Sequence, residues 1–217
     1  MIEIAIDGTA ASGKGTLAKK LAKKFNFVHL DTGLLYRKVA YELITKKKNT
    51  SGNLANYSSE IARNLNFLEL KKEDLRSEEI AKLASHIATY PKLRDLLNLK
   101  QKEFVDINKT KFLGCILDGR DIGTNILPNA DFKFFIDASV EIRAKRRLLE
   151  KNISFLHEND EKCMLLSLIK DMNERDKLDR SRKTSPLIPA DDAHVIDTSY
   201  MDAEELLSKV TKIIEGI

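Results

Sequence analysis

The chain has 217 residues, of which 42% are hydrophobic and 32% are charged, and its formal net charge is +4. This length allows one domain with a sizeable core, and the small positive charge suits anionic small molecules about as well as nucleic acid. The two cysteines are too few for a disulfide framework or a zinc site. No apolar run reaches membrane-spanning length, and the N-terminus lacks the basic flank of a signal peptide. We therefore expect a cytoplasmic protein.

The N-terminal part of the sequence predicts the order strand, helix, strand, helix. Ile2, Ile4 and Ile6 alternate in MIEIAID, which predicts a strand, and GTLAKKLAKKF follows with apolar residues at helical spacing. NFVHLD predicts a second strand, and residues 33–48 predict a second helix. Two strands joined by a glycine-rich turn and a helix form a βαβ unit, which favours a parallel sheet.

The middle of the chain, about residues 49–108, predicts mostly helices. It contains a loop at Thr50–Asn53, one short strand at Phe67–Leu70 and a helix that begins at Pro91. Beyond it, FLGCILD, FKFFID and HVIDT predict three more strands, with helices at Glu141–Lys151 and Ala203–Glu215. We therefore predict an α/β fold with a five-stranded parallel sheet and helices on both faces.

The stretch GTAASGKGT, residues 8–16, follows the first strand and fits the phosphate-binding pattern G-x-x-x-x-G-K-[ST] at all but one position. Its backbone N–H groups and the helix N-terminus attract phosphates, and Lys14 adds a charge for the β- and γ-phosphates. Gly15 replaces the residue whose hydroxyl usually holds Mg²⁺, and the hydroxyl comes one position later, at Thr16. We expect ATP or GTP to bind, with Mg²⁺ held mainly by phosphates and water. The absence of N-K-x-D speaks against a GTPase.

Arginines supply a second group of charges for anions. Arg37 follows the second predicted strand and Arg120 follows the third, and the carboxyl ends of parallel strands converge on one crevice. Other arginines fall at helical spacing or near a proline-bounded segment: Arg143, Arg146 and Arg147, then Arg175, Arg180 and Arg182. A lone helix arginine is more often a solvated surface charge. Asp118 ends an apolar strand, where it either orients metal-bound water or caps a turn.

Four blocks of the sequence, in order and over nearly the whole chain, resemble those of bacterial cytidylate kinases: DGTAASGKGT, LDTGLLYRKVA, LDGRDIGTNILPNADFKFFIDAS and NERDKLDRSRKTSPLIPADDAHVIDTS. The resemblance implies a P-loop NTPase fold with a core of residues 1–48, 109–150 and 190–217, a monophosphate-binding insert at about 49–108 and a lid at about 151–185. It implies transfer of the γ-phosphate of ATP to CMP and dCMP with Mg²⁺, without a covalent intermediate. We expect a cytoplasmic monomer that binds neither nucleic acid nor membrane.

The resemblance also implies roles for single residues. The ATP-binding residues would be Gly8, Thr9, Ala10, Ala11, Ser12, Gly13, Lys14, Gly15 and Thr16. The catalytic residues would be Lys14, Arg120, Arg146 and Arg182, with no protein ligand to the metal. The CMP-binding residues would be Arg37, Arg120 and Arg182 at the phosphate, Ser85, Arg94 and Asp121 at the cytosine, and Arg175 and Asp179 at the ribose.

The cytosine assignment has a chemical basis, because a carboxylate at Asp121 can accept from the N4 amino group, whereas uracil presents an oxygen there.

The segment between Leu65 and Ala84 is shorter than in bacterial members of the family, which carry a small sheet there. Three alternatives remain: another P-loop kinase that acts on adenylate, thymidylate or shikimate, a nucleic-acid-binding protein that uses Lys46–Lys48, and an inactive nucleotide sensor.

Overall fold

The computed structural model describes residues 1–48, 52–71, 75–150, 157–182 and 184–216. The strands within these ranges are β1 (Ile2–Gly8), β2 (Val28–Asp31), β3 (Gly114–Gly119), β4 (Phe132–Asp137) and β5 (His194–Asp197). The helices are α1 (Lys14–Phe25), α2 (Gly33–Thr45), α3 (Leu54–Arg63), α4 (Glu78–Ile87), α5 (Pro91–Asn108), α6 (Val140–Glu150), α7 (Glu158–Ser181) and α8 (Ala203–Glu215). A 3₁₀ helix (Phe67–Lys71) and a π-helical turn (Ile122–Ile126) complete the described elements.

The five strands form one sheet in the order β2-β3-β1-β4-β5. β1 is central and pairs in parallel with β3 and β4, and β4 pairs in parallel with β5. The register places Asp7, near the end of β1, opposite Gly119 of β3 and Phe135 of β4. The prediction of an α/β fold with a five-stranded parallel sheet is therefore confirmed.

The chain divides into two compact units, and the larger one contains residues 1–29 and 112–217. Its core forms where α1 and α8 cover one face of the sheet. α1 contributes Leu17, Ala18 and Leu21 at helical spacing, while most of its lysines remain on the outside. The sheet and α8 contribute the remaining buried side chains: Ile4, Ile6, Ile116, Phe134, Ile136, Ile196, Leu206 and Val210.

The smaller unit, Leu30–Lys111, is helical, as predicted for the middle of the chain. The strand predicted at Phe67–Leu70 is wrong, because this segment is a 3₁₀ helix. Phe67 packs edge-on against Phe104, with ring centroids 5.3 Å apart, and Leu70 is buried, while Leu68 is 74% exposed. Residues three apart share a face in a 3₁₀ helix, whereas a strand would turn Phe67 and Leu70 to opposite faces.

Several predicted boundaries differ from those in the structure. The smaller unit begins at Leu30 and includes α2, and the predicted division into core, insert and lid stays a prediction. The helix predicted to reach Lys48 ends at Thr45, and Lys151, predicted to end another helix, lies outside the described residues. The loop predicted at Thr50–Asn53 is described only from Gly52 onward.

The segment predicted to act as a lid contains α7. Residues 151–156 and residue 183 of that segment lie outside the described part of the chain, and its role as a lid stays a prediction.

Cys163 on α7 is exposed, whereas Cys115 in β3 is buried, and burial raises the pKa of the Cys115 thiol to about 12. None of the helices in the described ranges is long and apolar enough to cross a bilayer.

Candidate active site

Glycines occupy two positions of the phosphate loop where a side chain would clash or strain the backbone. Gly8 has a φ of 149°, and a Cβ added there would lie 1.9 Å from the carbonyl oxygen of Ile136, so only glycine fits. Gly13, with a φ of 95°, is the N-cap of α1, and no side chain caps the first N–H groups of that helix. The N-terminus of α1 is therefore available to an anion.

Side chains bond to the carbonyl groups of the loop. They form five hydrogen bonds: Arg120 Nη1 to Gly8 O (2.8 Å), Lys14 Nζ to Thr9 O (3.1 Å), Arg143 Nη1 to Ala10 O (3.4 Å), and both Thr198 Oγ1 (2.9 Å) and Arg146 Nη1 (3.4 Å) to Ser12 O. Because N–H and C=O point in opposite directions across a peptide plane, carbonyls fixed outward favour N–H groups turned inward. Such an arrangement is typical of an anion nest.

The hydroxyl groups of the loop stabilise its conformation. Thr9 Oγ1 donates to Asp137 Oδ1 at 2.7 Å, and Ser12 Oγ donates to the carbonyl oxygen of Thr9 at 3.0 Å. Both side chains are fully buried. What Thr9 and Ser12 can offer a phosphate is therefore their backbone N–H groups.

A cavity of about 330 Å³ opens next to the phosphate loop. Its wall combines the loop, the first turns of α1, the end of α6 and the chain that leads into α8: Ala11, Ser12, Gly13, Thr16, Leu17, Arg146, Leu149, Glu150, Thr198, Met201, Asp202, Ala203 and Leu206. The wall is mostly apolar and is continuous with the anion nest. A flat apolar group attached to a phosphate chain fits such a cavity.

Arg146, predicted to be catalytic, belongs to the wall of this cavity. Its Nη1 donates to Thr198 Oγ1 at 3.0 Å, and its Nη2 donates to the carbonyl oxygens of Thr198 (2.6 Å) and Met201 (3.2 Å). The guanidinium group thus joins the phosphate loop to the chain that follows β5. Its predicted part in the transfer step stays a prediction.

Three arginines surround the carboxylate of Asp179 on α7. Arg120 Nε lies 3.0 Å from Oδ2, Arg175 Nε lies 3.9 Å from Oδ2, and Arg182 bonds to Oδ1. Burial alone would raise the pKa of Asp179, but the charges of the three arginines outweigh burial and hold this pKa below its usual value. One carboxylate facing three guanidinium groups leaves surplus positive charge, which favours a phosphate.

Asp7 is a buried carboxyl group that organises the turn after β3. Its oxygens accept hydrogen bonds from the backbone N–H groups of Ile122 (2.8 Å) and Gly123 (2.7 Å). Burial raises its pKa to about 6 and outweighs those two bonds. This turn begins with Asp121, which is itself buried and accepts a hydrogen bond from Asn125 Nδ2 at 3.1 Å.

Asp118 lies beside the first turn of α1. Its Oδ1 is 2.6 Å from Nε2 of His29. Its Oδ2 would be 3.6 Å from a Cβ at Gly15, an ordinary contact distance, so this carboxylate lies beside the start of α1. Thr16, in the same turn, is exposed.

The smaller unit holds three of the predicted acceptor residues. Arg37 Nη1 donates to the carbonyl oxygen of Leu75 at 3.0 Å, and the buried Arg94 donates through Nη1 to the carbonyl oxygen of Ala88 at 3.3 Å. Ser85 is half-buried on α4. Both arginines are thus oriented by backbone carbonyl groups.

The lysines considered for nucleic acid binding make contacts within the smaller unit. Lys46 pairs with Glu42 at 2.9 Å, and Lys48 Nζ lies 4.0 Å from the centre of the Tyr57 ring.

Sequence reasoning missed several supporting residues. Asp7 and Asp137 end buried strands, as Asp118 does, and the argument applied to Asp118 would have found them. The roles of His29 and Thr198 depend on tertiary contacts, and no local pattern indicates them.

Comparison with known proteins identifies close relatives. A family model described as cytidylate kinase matches residues 4–216. The cytidylate kinase of Methylocella silvestris is 44% identical over 213 residues, which cover 98% of this chain and 94% of the relative. That of Acidiphilium cryptum is 41% identical over 216 residues, with coverage of 100% and 96%. Among solved structures, an uncharacterized protein from Eubacterium ventriosum shares the fold, with a TM-score of 0.51, 16% identity and full coverage of both chains.

Proposed function

The chain belongs to the cytidylate kinase family of ATP-dependent nucleoside monophosphate kinases, and from this premise we propose how its residues transfer the γ-phosphate of ATP to CMP. The products are CDP and ADP, and we propose dCMP as a second acceptor. The observation that carries the residue assignments is the phosphate loop, whose carbonyls are held outward by Arg120, Arg143 and Arg146 beside a cluster of arginines.

The phosphate loop is the proposed site of the ATP phosphates. Inward N–H groups of residues 8–16 and the uncapped N-terminus of α1 bind the β- and γ-phosphates. Lys14 exchanges its contact with the Thr9 carbonyl for the phosphates. The 330 Å³ cavity then accommodates the nucleoside of ATP. We assign Arg146 to this donor site, because its donors brace the cavity wall.

In the larger unit, Arg120 and Arg182 are proposed to bind the phosphate of CMP, with Arg175 and Asp179 at the ribose. The surplus positive charge around Asp179 supports this assignment. Asp121 is proposed to accept from the N4 amino group of cytosine, and its burial would make a mismatched base costly.

In the smaller unit, Arg37 is proposed to bind the acceptor phosphate, and Ser85 and Arg94 to donate to the cytosine N3 and O2 acceptors. Arg94 is buried and is oriented by the Ala88 carbonyl, which limits the geometries that its fork can adopt. Arg37 is oriented in the same way by Leu75.

The residues next to α1 fit a Mg²⁺ ion that is held mainly by phosphates and water. The Asp118 carboxylate and the Thr16 hydroxyl supply the oxygen atoms that Mg²⁺ prefers, and Gly15 leaves space at the helix terminus. A bound Mg²⁺ would neutralise charge on the transferring phosphate. His29 would hold the Asp118 carboxylate toward its water shell.

Catalysis in this proposal rests on alignment and charge neutralisation. The acceptor phosphate is already an anionic nucleophile, so no strong base and no covalent intermediate are needed. Lys14, Arg120 and Arg182 offset the repulsion between the two anions and stabilise the charge that develops on the transferring group. We keep a cytoplasmic monomer that binds neither nucleic acid nor membrane as part of the proposal.

An acceptor panel tests the proposal. The purified chain is incubated with ATP and Mg²⁺ and with CMP, dCMP, UMP, AMP, dTMP or shikimate, and ADP release is coupled to chromatography of the phosphorylated product. We expect CDP formation to be fastest, and Lys14→Ala to abolish it. Faster turnover of another acceptor would favour the alternative kinase class, and no turnover with any acceptor would favour a nucleotide sensor.

A further inference from the structure

α7 is poorly anchored by apolar packing. Among its described side chains only Met172 and Asp179 are buried, and Leu166 and Leu178 are more than half exposed. A helix with so little buried apolar surface depends on other contacts for its position.

Charged groups supply those contacts and lead to the phosphate loop. Arg120 bonds to both Gly8 O and Asp179, Arg143 bonds to both Ala10 O and Asp176, and Asp137 accepts from both Thr9 and Arg180. Asp176, Asp179 and Arg180 are spaced i, i+3, i+4 and lie on one face of α7. Three consecutive residues of the phosphate loop are thus bridged to one face of the helix.

The Arg143–Asp176 and Asp137–Arg180 bridges have no assigned role, and the Arg143–Asp176 bridge is the more buried of the two. Arg143 Nη2 lies 2.5 Å from Asp176 Oδ2, and the two side chains are 5% and 13% exposed. Arg143 also donates through Nε to Ala138 O at 2.8 Å and through Nη1 to Ala10 O at 3.4 Å. All three nitrogens of its guanidinium group therefore bond to protein, so Arg143 acts through other groups.

We propose that Arg143 and Asp176 are positioning residues for the CMP site. Their ion pair fixes the C-terminal half of α7 against the phosphate loop. This half carries Arg175 and Asp179, and Arg182 directly follows its last residue. The inference rests on the proposed function, because it needs these three residues to bind the acceptor. A partly buried ion pair contributes little net stability but specifies a geometry, which suits this role.

Asp176→Asn tests the inference, because it keeps the shape and removes the charge. We expect the KM for CMP to rise about tenfold, because neighbouring residues in one charge network couple by such amounts. The KM for ATP should stay within about twofold, because Arg143 retains its bonds to Ala10 and Ala138. Calorimetric titration with CMP alone should show the same loss of affinity.

Asp171→Asn is the matched control, since it makes the same chemical change at an exposed position on the same helix. It should leave both KM values and the Tm unchanged. Arg143→Lys keeps the charge but cannot reach Asp176, Ala10 O and Ala138 O together. In the double variant with Asp176→Asn, the fold increase in the KM for CMP should be smaller than the product of the increases in the two single variants.

Two results would overturn the inference. In one, Asp176→Asn matches Asp171→Asn in KM for CMP and in calorimetric affinity. In the other, it raises both KM values equally and lowers the Tm, which indicates general loosening. The wild-type protein separates this test from the proposed function: if it makes no CDP, the function itself fails, and if it does, only the positioning role is at issue.

Discussion

Asp7 gives the protein a pH dependence that can be measured. Burial raises the pKa of the Asp7 carboxyl group in the folded state to about 6, above the usual aspartate value of 3.8. The folded protein therefore holds this proton more tightly than the unfolded chain, and the resulting stability is lost as pH rises through 6. Between pH 5 and 7, Asp7 should reduce the free energy of unfolding by about 1 kcal/mol.

Asp7→Asn isolates that contribution. Urea unfolding at pH 5, 6 and 7 should show a falling stability difference between wild type and variant as pH rises. A difference that is constant over this range would contradict the raised pKa. The variant keeps one acceptor oxygen for the two N–H groups of Ile122 and Gly123, as the protonated carboxyl group of wild type does.

Asp121→Asn should narrow the preference for CMP over UMP. The amide group can donate to the uracil O4 atom, whereas the carboxylate presents a lone pair to it. We expect the ratio of kcat/KM values for CMP and UMP to fall about tenfold or more, mainly through a loss with CMP. An unchanged ratio would remove Asp121 from the cytosine site. Asn125→Ala, which removes the Asn125 bonds to Asp121 and to Ser185, serves as a comparison.

For single residues, the sequence predicted which charged side chains belong to the site better than it predicted which of them contact one another. Lys14 and Gly13 follow from a motif in which spacing alone carries the chemistry. The cluster around Asp179 could be predicted only through family resemblance, because Arg120 lies 59 residues away from it in the chain. Physical reasoning on a single sequence offers no means to pair groups so far apart.

The helix α4 carries Ser85, and its start depends on one cap. Ser77 Oγ accepts a hydrogen bond from the Ile80 N–H group at 3.3 Å. Ser77→Ala should cost about 1 kcal/mol of stability, measured by urea unfolding, while Ser77→Thr keeps the acceptor and should cost much less. Equal stabilities of the two variants would show that the cap is dispensable.

Elements with strong periodicity were predictable, and a short one was not. α8 was predicted at its observed bounds, since its apolar face repeats over three turns. Phe67–Leu70 is too short for periodicity to separate a strand from a 3₁₀ helix. In the structure Phe67 contacts Phe104, which lies 37 residues away along the chain, and no local pattern indicates this contact.

For the whole molecule, binding of either substrate should stabilise the folded state. A ligand at 100 times its Kd adds about 2.7 kcal/mol, which raises the Tm by several degrees for a chain of this length. We expect CMP and ATP each to raise the Tm and GMP to have little effect. Arg94→Ala should remove the shift with CMP and leave the shift with ATP. Loss of both shifts would indicate misfolding rather than a local role.

The two thiols of the chain offer a reporter that requires no engineering. Cys115 is buried with its pKa raised to about 12, while Cys163 stands exposed on α7. A maleimide fluorophore reacts with thiolate at neutral pH and should therefore attach at Cys163 alone. The native protein can thus carry a single dye on α7, and the emission of that dye during turnover would report on the surroundings of this helix.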